Sequence, residues 1–270
     1  MNDFEDAELI IGSMWGDEKL DLTVIPELLR ALIVSLDHMV DFLYHEIGRK
    51  NSVVIDVKVK PLKGIRLCQN AEDLCENLPV VLRIFGVHLG LDAHVFYRVL
   101  RVVNYWMVQT CSTDSVKLLA YRMTGEYFLP ALTIITSENL KLDRELWEIM
   151  KHIEFKNRYF YYQELLSRGY LSNFCMLEKF IELHPKVVKW SKSLSDEAEQ
   201  IELMRKSATQ LANNGNCLII TNQILRMITN YENLIGPLLQ TMNRNALQDL
   251  ALDMVAFSIL RNLTEKHKVY

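Results

Sequence analysis

Between Leu28 and Leu43 the apolar residues Leu28, Leu29, Leu32, Ile33, Leu36, Met39, Val40 and Leu43 recur at steps of three and four. That spacing places them on one side of a 3.6-residue helix. It predicts an amphipathic helix from about Asp21, with Pro26 in its first turn and Gly48 as its stop. The same step governs most of the 270 residues, and only 10 Gly and 6 Pro interrupt it. So few turn residues favour long helices joined by short connections over many short strands.

One stretch breaks the helical step. Ser52 to Lys60, SVVIDVKVK, is rich in β-branched residues and is closed by Pro61 and Gly64. We read Arg49 to Arg66 as an extended connector, since a single short strand would lack a partner. Beyond it the pattern predicts a helix over Ala71 to Leu89 with the stripe Leu74, Leu78, Val81, Leu82 and Phe85, loosened at its end by Gly86 and Gly90. Asp92 is placed to cap the next helix, which carries Val95, Phe96, Val99, Leu100, Val103, Trp106 and Met107. Thr113 or Asp114 opens a run through Met123 into Ile134 that Pro130 should kink or divide.

Asp143 is the expected cap of a short helix bearing Leu146, Trp147 and Met150, followed by one from about Lys156 to Ser167 that Gly169 ends. Further helices are expected over 171–183, 185–193, 196–212, 216–230, 232–242 and 245–263. Linkers of a few residues force neighbouring helices antiparallel. The expected fold is therefore all-α, an irregular α-solenoid of antiparallel helical hairpins; no tetratricopeptide or ankyrin period occurs. The expected organisation is an N-terminal helix plus extended connector over 1–66 and a helical-repeat-like scaffold domain over 67–270.

Composition narrows the function classes. Half of the residues are hydrophobic and 24% are charged, which suits a packed globular chain and not a disordered one. The net charge of −4 gives no general electrostatic attraction to phosphate, so free-standing nucleic-acid binding is not expected. Five cysteines at irregular spacing, Cys68, Cys75, Cys111, Cys175 and Cys217, suit reduced thiols in the cytosol or nucleus. The acidic start (Asp3, Glu5, Asp6, Glu8) does not read as a signal peptide. No uncharged apolar run reaches the ~20 residues that cross a bilayer. A soluble protein is the expectation.

Chemistry is hard to locate. The seven histidines form neither H-x-x-x-H nor H-E-x-x-H; His38 and His45 share a helix face but lack further ligands of suitable geometry. No nucleophile elbow, phosphate-binding loop, dinucleotide fingerprint or kinase set occurs. Glu145 with Glu148, and Glu197 with Glu199, read as solvated helix faces rather than as tuned acids. No catalytic residue, cofactor or metal is expected. The cluster Arg158, Tyr159, Phe160, Tyr161, Tyr162 is different, because a cation among aromatics can anchor a partner. Rings at that density on one helix must point both inward and outward, so packing accounts for part of them. Arg158, Tyr159, Tyr161 and Tyr162 form the candidate protein-docking patch.

The order of motifs carries a family resemblance. L-P-A-L-T at Leu129 to Thr133 is followed by E-L-W-E-I-M at Glu145 to Met150, then by N-R-Y at Asn157 to Tyr159 with Tyr162. Later come Y-E-N-L-I-G-P-L-L at Tyr231 to Leu239 and the helix from Asp253 to Leu260. This series, from about Val80 to Leu263, resembles the THO complex subunit 2 family. After Tyr162 the chain reads Gln163-Glu164-Leu165 where the family usually has glycine, glutamine and tryptophan, so a helix in place of a turn is expected there. Only Arg205 and Lys206 stand where a basic stretch is usual, and family members are several times longer. The resemblance implies a non-catalytic nuclear scaffold for transcription-coupled mRNA ribonucleoprotein assembly and export. Its implied partners are other THO and TREX subunits, with the ribonucleoprotein reached indirectly; no membrane or small-molecule substrate is implied. The alternative is an α-solenoid interaction adaptor unrelated to THO.

Overall fold

The computed structural model describes residues 26–50, 67–111, 113–135, 140–169, 174–192 and 248–267. Among them every regular element is helical and no strand occurs, as the periodicity requires. The chain divides into two compact units, Met1–Ala131 and Leu132–Tyr270. The connector expected over Arg49 to Arg66 begins later, since Arg49 and Lys50 are the last residues of a helix, and its remainder and the helices expected over 196–242 lie outside the described residues.

In the first unit, helix α1 (Pro26–Lys50) buries Leu32, Leu36, Met39, Val40, Leu43 and Ile47, a single stripe at three- and four-residue steps. The helix runs through Gly48 instead of stopping there. A glycine two residues from the end costs only about 1 kcal/mol of propensity, and beyond it Arg49 Nη1 donates to Glu46 Oε1 at 2.7 Å. Helix α2 (Ala71–Phe85) starts on a reciprocal cap: Asn70 Oδ1 accepts from Asp73 N–H at 2.9 Å, and Asp73 Oδ2 accepts from Gln69 N–H at 2.8 Å. Its end is set by Gly86, whose φ of +53° is a conformation that side chains resist, and a 3₁₀ segment, Gly86–Leu91, follows. Residues 71–91 are long and apolar enough to cross a bilayer by length and composition alone. Here the stripe Leu74, Leu78, Val81, Leu82 and Phe85 is spent on the interior of the unit.

Asp92 caps α3 (Ala93–Val102) as expected, its Oδ1 accepting from the N–H groups of His94 at 3.0 Å and Val95 at 2.9 Å. A π-helical segment, Val103–Gln109, prolongs α3, and another, Thr124–Phe128, prolongs α4 (Asp114–Met123) into α5 (Leu129–Thr133). The change of helix type falls immediately before Pro130, where the wider turn makes room for a ring and a missing donor.

Helices α1 and α3 are joined by charge as well as by packing. Arg98 is buried, with its side chain 8% exposed, and its two terminal nitrogens donate to Asp37 and Asp41 on α1. The guanidinium lies 4.6 Å from the Tyr44 ring centre, and Asp41 also meets His45 Nε2 at 3.2 Å. Trp106 Nε1–H donates to the Leu43 carbonyl at 3.2 Å, and the Cys68 N–H donates to that of Met39 at 3.0 Å. These contacts fix the rotation of α1 about its own axis, which apolar packing alone leaves soft.

In the second unit, α6 (Leu140–Met150) and α7 (Phe155–Glu164) are separated by Lys151–Glu154, with Ile153 tucked inward. Because α6 begins at Leu140, Asp143 lies in its first turn and is buried, rather than standing outside as a cap. A π segment, Leu165–Gly169, continues α7 through the Gln163-Glu164-Leu165 departure, which is helical, and ends at Gly169. Helix α8 runs unbroken from Phe174 to Lys192, so the division expected at Pro185 does not occur. Pro185 is solvent-facing, and the buried Leu183, Val187 and Trp190 on either side of it hold the helix across the missing hydrogen bond. Helix α9 (Asp249–His267) packs on α6 and α7.

Two outcomes are expected on urea unfolding. Arg98→Met should cost about 2–3 kcal/mol, below the ~3–5 kcal/mol typical of breaking a fully buried pair, because Asp37 keeps 33% exposure. Pro185→Ala should raise stability by about 1–3 kcal/mol, since it restores a backbone donor and removes a ring clash at a solvent-facing position.

Candidate functional site

Helix α7 has the sequence FKNRYFYYQE, which lacks the clean apolar stripe of its neighbours. At 100° per residue its rings spread around the helix, and the packing of α6 and α9 decides which are covered. Tyr162 is completely buried and Tyr159 is half-buried, whereas Phe160, one residue on, is 58% exposed. Tyr161 is half-buried between these extremes, its ring centre 6.4 Å from that of Phe160.

Arg158 and Tyr162 converge on one carboxylate. Arg158 Nε donates to Asp253 Oδ2 at 2.8 Å and Nη2 donates to Oδ1 at 2.9 Å, the two-point geometry that guanidinium and carboxylate planes favour. The Tyr162 hydroxyl donates to Asp253 Oδ2 at 2.8 Å, and Arg158 Nη1 donates to the Ile153 carbonyl. The pair is nearly dry, with side chains 13% and 10% exposed. Around it stand the rings of Trp147 and Phe155, 5.5 and 5.4 Å from the guanidinium carbon. Phe257, one turn beyond Asp253, meets Tyr159 edge-on at 4.7 Å and Tyr162 at 5.4 Å.

Of the four residues expected to dock a partner, Arg158 and Tyr162 are thus committed to an internal clamp, and Tyr159 is half committed through Phe257. Phe160 faces outward, and Tyr161 is half-buried beside it. Asp253 and Phe257 join the cluster without having been expected in it. A signal for Asp253 is nevertheless present in the sequence: it lies on the stripe Leu250, Met254, Phe257, where an ionised side chain requires a partner.

The clamp holds and does not react. Both Asp253 oxygens already accept hydrogen bonds from a cation or a phenol, an arrangement that engages the carboxylate and leaves little of it open to a substrate. Elsewhere, His45 meets Asp41, and Glu148 pairs with Lys151 at 2.6 Å. Among the described residues no group of three or more His, Cys, Asp or Glu side chains is placed to hold a metal. Burial pushes the Cys75 thiol up from its ordinary value, with Cys111 and the nearby Glu72 and Glu76 adding to the effect, which is opposite to the shift that makes a thiol nucleophilic.

Comparison with known proteins decides the lineage. The family model for the THO complex subunit 2 N-terminus matches residues 62–205, more than half of the chain. The chain belongs to the THO complex subunit 2 family. It is 25% identical over 265 aligned residues to THO complex subunit 2 of Dasypus novemcinctus, covering 90% of this chain and 15% of that protein. The Homo sapiens and Mus musculus proteins of the same name are each 24% identical, with 90% of this chain and 16% of theirs covered. The chain therefore spans only about 15–16% of the length of these relatives. The family-model match over residues 62–205 takes in α2 through α8, and so the Arg158 side of the clamp, and ends before Asp253.

Unfolding of clamp variants separates its parts. Asp253→Ala should cost about 3–5 kcal/mol by stranding a buried cation, Tyr162→Phe about 1 kcal/mol, and the pair Arg158→Leu with Asp253→Leu less than the sum of its singles.

Proposed function

We propose that this chain is a non-catalytic scaffold that joins other THO and TREX subunits in the nucleus and supports transcription-coupled assembly and export of mRNA ribonucleoprotein. The observation that carries this reading is the family match over residues 62–205, on a chain whose buried arginines are engaged in holding helices together. In this reading residues 67–270 supply the scaffold surface, with 1–66 as an N-terminal helix and connector, and the helical hairpins stack as an irregular solenoid. Contact with the ribonucleoprotein runs through the complex, in keeping with a net charge of −4.

The docking patch we propose is the outward side of α7, Tyr161 with Phe160, on a base held rigid by Arg158, Tyr159 and Tyr162. A phenylalanine 58% exposed beside a half-covered tyrosine offers the aromatic anchor that interfaces concentrate. Support for rigidity comes from the clamp beneath, because a preorganised surface loses less freedom on binding.

Affinity capture of the tagged chain from nuclear extract tests the reading. Other THO subunits should be recovered, and the double change Phe160→Ala with Tyr161→Ala should reduce that recovery severalfold while leaving the helical content intact. Recovery of no THO subunit would overturn the proposed role, and a purely cytosolic partner set would favour a helical adaptor acting outside the THO complex.

A further inference from the structure

Helix α8 buries Met176, Leu183, Val187 and Trp190 on one side. Its opposite side carries Glu178, Glu182, Pro185, Lys189 and Lys192, all exposed. Their spacing is four, three, four, three, the step that keeps one line of residues facing a second helix along its length. The line is also ordered by charge, with two acids, a central proline and two bases. Ile181, 63% exposed, flanks it.

This order is its own complement when reversed. A copy of α8 laid antiparallel, with a two-fold axis at Pro185, sets Glu178 against Lys192 and Glu182 against Lys189, and the symmetry repeats both pairs. A closed two-fold contact uses the same patch on both partners, which is what a palindromic stripe provides. A parallel copy would instead face acid with acid and base with base. Among the described residues Glu178, Lys189 and Lys192 form no ion pair. Glu182 reaches Lys179 at 3.1 Å and Lys186 at 2.6 Å within its own helix, and these hydrogen bonds lower its carboxyl from the usual range and keep it charged. Attraction of charges to the helix ends accounts for lysines in the last turn but fades before Glu182.

We propose that α8 is a self-association face through which two copies of this chain pair antiparallel. The contact runs about 21 Å along the helix and is smaller than the ~1,200 Å² of a standard stable interface, so the dimer is weak and salt-sensitive.

Sedimentation equilibrium of the whole chain tests this with two charge-reversed variants, E178K/E182K and K189E/K192E. The unaltered chain should dimerise at micromolar concentration and lose dimer as salt rises. Each variant alone should associate roughly tenfold to a hundredfold more weakly, from four exposed pairs turned repulsive. Their equimolar mixture should associate again, because the changed acid end of one meets the changed base end of the other; that recovery also shows both variants to be folded. A chain monomeric throughout the micromolar range, a dimer indifferent to both reversals, or variants that fail to recover on mixing would overturn the proposal. So would a monomeric chain whose lysine variant loses a heterologous partner from nuclear extract.

Discussion

An ionised side chain on the buried face of a helix must find its counter-charge on another helix, and that requirement organises both compact units. In the first, Arg98 on α3 answers Asp37 and Asp41 on α1; in the second, Arg158 on α7 answers Asp253 on α9. Leucine stripes press helices together but tolerate sliding and rotation, whereas a two-point guanidinium contact accepts one register. Each arginine also lies against aromatic rings, Tyr44 in one case and Trp147 with Phe155 in the other, which shields the charge from water and shapes the pocket around it.

The tyrosine-rich helix carries one half of such a clamp. Its inward residues span more than 90 positions of sequence to reach Asp253, closing the second unit, while Phe160 remains on the outside with Tyr161 half-buried beside it. A single short helix thus contributes both to internal cohesion and to an outward aromatic surface. The chain belongs to the THO complex subunit 2 family and spans a small fraction of its relatives' length.

Local chemistry is legible in the sequence wherever a few neighbouring residues decide the outcome. The cap at Asp92, the stripe from Leu74 to Phe85 and the end at Gly169 of the π segment that continues α7 all follow from spacing and side-chain type. Sequence and structure part where tertiary packing outweighs a local preference. Pro185 and Gly48 have the chemistry of helix breaks, yet buried residues on either side carry the helix past Pro185, and past Gly48 Arg49 pairs back to Glu46 in the last turn. Aspartate favours the cap position, but the helix of Asp143 starts three residues earlier at Leu140. Among the described residues the three π segments have no residue-type signature that marks them in the sequence.

By itself the amino-acid order determined the helical class, most helix positions among the described residues, the lineage and the residues of the aromatic cluster, because three- and four-residue periodicity and motif order are properties of the chain alone. Only the tertiary structure decided that Arg158 and Tyr162 turn inward to Asp253 while Phe160 turns out, and that Arg98 joins α3 to α1. Those choices depend on which distant helix supplies the opposing charge. Periodicity specifies which face of a helix is apolar, but carries no record of the partner that will cover it.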